Sequence, residues 1–195
     1  MDVITKSPPS QNSPLMSHIQ SPVILDQLMQ HVFMGSDTSF VEGVRVIIAL
    51  LQRSVQFEVD YPDTDGVWDL SPVMDAIVSR LPDLKRMLTS VPTNELKTSY
   101  GSLKLPLGDI RLRAVEMTCN LVQFDYTHLQ TKMKELMLLP ILLDLFFDFP
   151  WHNILQNLVE SAIQIIVGAD EGKVLLFRQS VFLSYLLLSH SIAFR

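Results

Sequence analysis

The side chains able to do chemistry are few and scattered. Histidines stand at positions 18, 31, 128, 152 and 190, too far apart in sequence to make a local metal pair. Neither His-Glu-x-x-His nor a Cys/His zinc spacing occurs. Cys119 is the sole cysteine, so no internal disulfide can form. It falls in an apolar-periodic run, which reads as a buried reduced thiol, because a reactive thiolate needs a base or a helix N-terminus beside it. Asp144 and Asp148 stand four residues apart and could share acid–base work, but with no partner histidine nearby they read as the wet edge of a helix. Asp63-Thr64-Asp65-Gly66 invites a calcium-loop reading. With Gly66 at the sixth loop position, the first and twelfth fall on Tyr61 and Pro72, which offer no carboxylate. Gly-x-x-x-x-Gly-Lys, Gly-x-Gly-x-x-Gly and Gly-x-Ser-x-Gly are all missing. The chain is expected to need no cofactor or metal and to be no enzyme.

Charge narrows the partners. Glu58, Asp60, Asp63, Asp65, Asp69 and Asp75 lie in one stretch free of lysine and arginine, and these six acids match the whole net charge of −6. No basic stripe is left to neutralise phosphates, which argues against nucleic acid. The stretch reads as a solvated acidic loop, with a docking site for a basic partner as the alternative. The longest apolar run, Val181 to Phe194, is short of the roughly 20 residues a bilayer requires and is broken by Ser184, Ser189, His190 and Ser191. No membrane span is expected. No signal peptide precedes Ser21, and with a single thiol the setting reads as cytoplasmic, extending to the nucleus.

The elements that must position these residues are helices. Apolar residues make up 48% of the 195 and mean hydropathy is +0.25, enough to bury a core without staples. The seven glycines are too few for many tight turns. Residues 1–20, with Ser7-Pro8-Pro9 and Ser13-Pro14, read as a disordered lead-in. Ser21-Pro22 then opens a helix carrying Val23, Ile24, Gln27, Leu28 and Val32, which Gly35 stops. Ser39-Phe40-Val41-Glu42 reads as a capping box ahead of the face Phe40, Val44, Ile47, Ile48, Leu51 and Val55, making an antiparallel hairpin of helices. After the acidic loop (Glu58 to Leu70), Ser71-Pro72 opens a helix through Arg80, and Pro82 starts a further turn or two ending near Val91-Pro92. The stretch to Gly108 reads as loop. Ile110, Leu112, Val115, Cys119 and Val122 form the next face, with Arg111 and Arg113 on other sides. Leu129, Met133, Leu136 and Met137 mark a helix that Pro140 closes. Ile141 to Phe149 is apolar nearly all round and must be covered on most sides. Pro150-Trp151-His152 turns the chain. Asn153 with Gln156 resembles a capping box, and Leu155, Leu158, Val159, Ala162 and Ile166 follow on one face up to Gly168. This order predicts an all-α fold, an irregular α-solenoid of HEAT/armadillo-like helix pairs, without a strict repeat period.

Three segments carry a resemblance. Val32 to Gln52 is similar to a helical hairpin with a Gly-Val/Ile-Gln-Val-Leu-Leu-x-Leu-Leu core. Leu105 to Met117 is similar to Pro-Pro-Leu-Gly-x-x-Arg-Leu-x-Val-Val-Glu. Leu142 to Ile163 is similar to Leu-Asp-Leu-Phe-Phe-x-Tyr-x-Trp/Phe-Asn-Asn-Phe-Leu-His-x-x-Val-Glu, the most specific of the three. Together they resemble the SAPS domain, found in regulatory subunits of serine/threonine protein phosphatase 6. The resemblance covers roughly Pro22 to Val167, so residues 21–177 read as a partial SAPS-like domain and 178–195 as a divergent apolar C-terminal helix. The family domain extends further N-terminally, which suggests a truncated or alternatively spliced product. What the resemblance implies is a non-catalytic scaffold that binds a phosphatase 6-type catalytic subunit and directs it to substrates. Ankyrin-repeat or other adaptor proteins are further implied partners. A general helical-repeat adaptor is the alternative on fold alone. The chain is not itself a phosphatase of this type: Gly108-Asp109 starts like Gly-Asp-x-x-Asp-Arg-Gly, but Leu112, Arg113 and Ala114 follow. The candidate partner-binding residues are Arg111, the arginine of the Pro-Leu-Gly-x-x-Arg motif, with Arg113, Trp151, His152 and Asn153.

Overall fold

The computed structural model describes residues 21–60, 70–90, 96–98, 101–103 and 106–168, with side chains described over 21–53, 70–90 and 106–168. The expected lead-in (1–20), most of the acidic loop and the C-terminal segment (178–195) lie outside the described residues. The described elements are α1 (Pro22–Met34), α2 (Asp37–Asp60), α3 (Ser71–Thr89), β1 (Leu96–Thr98), β2 (Gly101–Leu103), α4 (Asp109–Leu121), α5 (Thr127–Glu135), α6 (Leu138–Asp148) and α7 (Asn153–Gly168). The all-α expectation holds. One local exception is the stretch read as loop before Gly108, where β1 and β2 pair antiparallel with Leu96 opposite Leu103 and Thr98 opposite Gly101.

The chain divides into two compact units, residues 1–80 and 81–195. In the first, α1 packs on α2 as an antiparallel hairpin. Leu25, Met29, Val32 and Phe33 meet Phe40, Val44, Ile47, Ile48 and Leu51, all buried. Phe33 and Phe40 meet edge to face at 5.7 Å between ring centroids, a favoured aromatic geometry. Gly43 lets the two backbones approach, since a Cβ there would intrude on the Val32 side chain. Arg80 bonds Asp26 at 3.3 Å.

Helix starts differ from the sequence reading in detail. α2 begins at Asp37, and Ser36 Oγ accepts the amide of Ser39 at 3.2 Å, so Ser36 is the capping hydroxyl and Ser39 lies inside the first turn. α2 also runs on through Glu58 and Asp60, residues expected in the acidic loop. α3 is a single helix with Pro82 inside it, rather than two pieces. The reason is the unbroken apolar stripe: Met74, Ile77, Val78, Leu81, Leu84 and Leu88 are all buried at helical spacing across the proline. Their burial outweighs the roughly 3 kcal/mol a helix-interior proline costs.

In the second unit α4 packs on α7, α6 on α7, and α5 on α6. Pro140 does not close α5 but sits in the first turn of α6, where its missing N–H matters little. The break between α5 and α6 is made instead by Met137, whose φ of 59° is left-handed. α6 is covered through Leu138, Leu139, Leu142, Leu143 and Leu145, while Phe146 is half-buried and Asp144, Phe147 and Asp148 are exposed. α7 buries Leu155, Val159, Ala162 and Ile166 as expected.

The α6–α7 corner and its arginine clamp

The candidate residues fall into two groups with different neighbours. Arg111 was expected off the buried face of α4, yet only 6% of it is exposed. Of the expected stripe Val115, Cys119 and Val122 are buried while Ile110 and Leu112 are only half-buried, and the packed face widens to take in Arg111, Ala114, Met117, Thr118 and Leu121. A guanidinium enters this face because the chain before the helix gives it acceptors. Its Nε donates to the Leu107 carbonyl at 2.6 Å and Nη2 donates to the Pro106 carbonyl at 2.6 Å. Gly108, at φ 80°, turns the chain through a conformation open mainly to glycine and so aims both carbonyls back at the helix. The Pro-Leu-Gly-x-x-Arg spacing is therefore a clamp on a helix entry.

The clamp reaches α6. The Arg111 guanidinium carbon lies 5.2 Å from the centre of the Phe149 ring, within cation–π range. Burial pulls the Arg111 pKa below its usual value, and the nearby Asp148 carboxylate pulls it back up. Arg113 sits on the outer side of α4, half-buried, and pairs with Glu116 one turn on.

Trp151, His152 and Asn153 share the α6–α7 turn. His152 N–H donates to the Phe149 carbonyl, and its Nδ1 accepts the Leu155 amide at 3.2 Å. His152 thus caps α7, the task the sequence had assigned to Asn153. Gln156, expected to complete that capping box, instead donates to the Phe146 and Phe149 carbonyls at 2.8 and 3.0 Å. Asn153 is exposed and Trp151 is 93% exposed, with Ile154 (59%) and Phe147 (41%) also open to water. Trp151, His152 and Asn153 are thereby brought together, Arg111 joins them through Phe149, and Arg113 has its own pairing on α4. Phe147 and Ile154 were missed by sequence reasoning; their positions on runs that otherwise pack hid them.

The remaining reactive groups are quiet. Cys119 is buried, and burial, then Glu116, push its thiol up to about 12, the reverse of what a nucleophile needs. Asp144 is raised above the ordinary carboxylate range by partial burial and then by Asp148. Among the described residues no group of three or more His, Cys, Asp or Glu side chains could hold a metal. No described helix is long and apolar enough to cross a membrane. An open groove of about 430 Å³ in the first unit, lined by Pro22, Asp26, Met29, Asp75 and Ala76 among others, contains no histidine or cysteine to work with its carboxylates.

Comparison with known proteins agrees with the motifs. The profile of the SAPS family, described as SIT4 phosphatase-associated protein, matches residues 4–193. Regulatory subunit 3-B of serine/threonine-protein phosphatase 6 from Xenopus laevis is 28% identical over 176 residues, covering 82% of this chain and 20% of that protein. Regulatory subunit 2 from Homo sapiens is 28% identical over 170 residues (80% and 17%), and regulatory subunit 1 from Mus musculus 26% over 184 residues (82% and 22%). The chain thus spans about a fifth of the length of the curated relatives it matches. No solved structure matches it. With the family profile covering nearly the whole sequence, including the arginine clamp and the aromatic corner, the chain belongs to the SAPS family.

Proposed function

We propose that this chain is a non-catalytic part of a phosphatase regulatory subunit, built of HEAT/armadillo-type helix pairs, that binds a phosphatase 6-type catalytic subunit and directs it to substrates. One observation carries the reading: the SAPS profile matches residues 4–193, and relatives over four-fifths of the chain are named as phosphatase 6 regulatory subunits. Helices that cover one another and leave an aromatic corner exposed suit a scaffold, where rigid surfaces are presented rather than reactive groups. Ankyrin-repeat or other adaptor proteins are the further partners of this reading, and a cytoplasmic setting extending to the nucleus suits its one buried thiol.

Affinity capture tests it directly. The tagged 195-residue chain, expressed beside human regulatory subunit 2, is expected to retain the phosphatase 6 catalytic subunit. If the longer protein captures the enzyme and this chain at equal expression does not, the reading fails for this chain. The purified chain alone is expected to leave p-nitrophenyl phosphate and phosphopeptides intact; turnover abolished by replacing Asp144 and Asp148 with asparagine would overturn the non-catalytic half.

A further inference from the structure

The outer side of the α6–α7 corner combines features that belong to no part of the core. Asp144, Phe147 and Asp148 stand at i, i+3 and i+4 on α6, which places them on one face, and all three are exposed. The face runs into the turn bearing Trp151, 93% exposed, and the first turn of α7 with Ile154, 59% exposed. An indole and a phenyl ring left in water within five residues of sequence are the residue types that anchor interfaces. Neither Asp144 nor Asp148 makes an ion pair within 4 Å among the described residues, whereas Glu42, Glu116 and Glu135 each hold a cation.

We infer that this corner is a docking site for an arginine-bearing segment of a partner protein. The inference rests on the scaffold reading above but not on which protein the partner is. Charge selects the occupant. A purely apolar partner would strip water from two carboxylates without repaying it, and an anionic lipid surface or acidic peptide would meet like charge. A second copy bound through the same patch about a two-fold axis would set aspartates against aspartates. Lysine answers the charge but is a compact, strongly hydrated point, whereas a guanidinium stacks on an indole face while its fork engages a carboxylate. The inner side of the same corner holds part of this arrangement: Arg111 lies over the Phe149 ring within the field of Asp148, its fork turned to the Pro106 and Leu107 carbonyls. Asp144, raised by partial burial and by Asp148, is the carboxylate a cation would relieve.

The test uses the full chain carrying Trp68→Phe, so that Trp151 is the only fluorophore of its kind. A twelve-residue probe peptide alternating arginine with leucine is titrated in, beside its lysine counterpart. Saturable quenching of Trp151 is expected with the arginine peptide, weaker by about tenfold for Asp144→Asn/Asp148→Asn and weaker again in raised salt. The lysine peptide should bind less tightly. Asp144→Asn alone leaves Asp148 beside Arg111 and keeps the test informative if the double variant does not fold. No quenching, quenching that the asparagine variants do not weaken, or equal binding of the two peptides would overturn the proposal. So would an emission change that follows zwitterionic vesicles or protein concentration instead of the peptide. Capture of the phosphatase by the Asp144→Asn/Asp148→Asn chain at undiminished yield, with quenching of Trp151 by the arginine peptide lost, would leave the scaffold reading standing while removing this corner from the phosphatase contact.

Discussion

Replacing Arg111 with methionine keeps much of the side chain's length and apolar stem while deleting every donor. Two charge-assisted bonds, each worth about 1.5–3 kcal/mol, hold the carbonyls of Pro106 and Leu107 at 2.6 Å. The stacking on Phe149 adds about 0.5–1 kcal/mol. Against these stands the desolvation of a guanidinium that is 6% exposed, a cost of several kcal/mol that methionine escapes. What methionine cannot escape is the Leu107 carbonyl, which loses its donor within a residue that is 4% exposed. The balance is a loss of about 2–4 kcal/mol. Arg111→Lys keeps the charge but not the fork, so it should recover only part, about 1–2 kcal/mol. Equilibrium urea unfolding followed by far-ultraviolet circular dichroism measures both, and hydrogen exchange at the amides of residues 107–112 shows whether the helix entry loosens first. A methionine variant within about 0.5 kcal/mol of the parent, the range of ordinary surface changes, would refute the clamp and return Arg111 to the list of free interface residues.

Gly43→Ala gains about 0.8–1 kcal/mol of helix propensity but drives a methyl group into Val32, so a net loss of about 1–2 kcal/mol is expected by thermal melting, relieved when Val32→Ala is added. Met137→Gly should raise the denaturation midpoint, because a left-handed non-glycine residue costs about 1–2 kcal/mol and glycine's extra unfolded freedom returns only part of that. Asp144 binds its proton more tightly folded than unfolded, so its ionisation lowers stability as pH rises through its folded pKa. Asp144→Asn should therefore be more stable at neutral pH by about 0.2–0.5 kcal/mol, with the difference vanishing in acid, as urea melts across pH would show. Cys119, its thiol pushed up to about 12, should react with an aromatic disulfide reagent only as fast as the chain opens, with the rate climbing steeply in urea.

The helical architecture was legible because it rests on apolar spacing, and spacing survives in a bare sequence. The positions of α1, α2 and α7 follow it closely. What spacing does not carry is who satisfies the ends. Ser36 rather than Ser39, and His152 rather than Asn153, take the capping bonds, since neighbouring polar residues compete and the winner depends on backbone angles not yet known. The prolines misled for a related reason. Pro82 reads as a break until the stripe on both sides is seen to stay in phase, and Pro140 reads as a stop although it belongs to the first turn of the following helix. From sequence Arg111 falls off the apolar face of its helix, although a helix-end charge or buried pair holding the loop is the reading favoured for it over partner contact, and its bonds to the loop carbonyls match that second reading. The sign that it turns inward was present in the glycine three residues before it and the two carbonyls that glycine redirects.

Arg111 and Trp151 were singled out together, and the structure sets them in opposite energetic positions. Arg111 has its requirements met from within, so its removal is felt by the fold. Trp151 is 93% exposed, yet the backbone beneath it is fixed, by the His152 amide on the Phe149 carbonyl and by Gln156 on the Phe146 and Phe149 carbonyls. An indole covered by a partner removes about 200 Å² from water, worth about 5 kcal/mol at 25 cal/mol per Å². Association consumes about 4–15 kcal/mol in lost freedom before any affinity appears. A ring on a mobile loop would add its own ordering cost to that total, whereas this one is mounted on a capped helix entry whose backbone is already in place. In the docking proposed above, the internal bonds around Phe149 are therefore what would let so exposed a side chain act as an anchor.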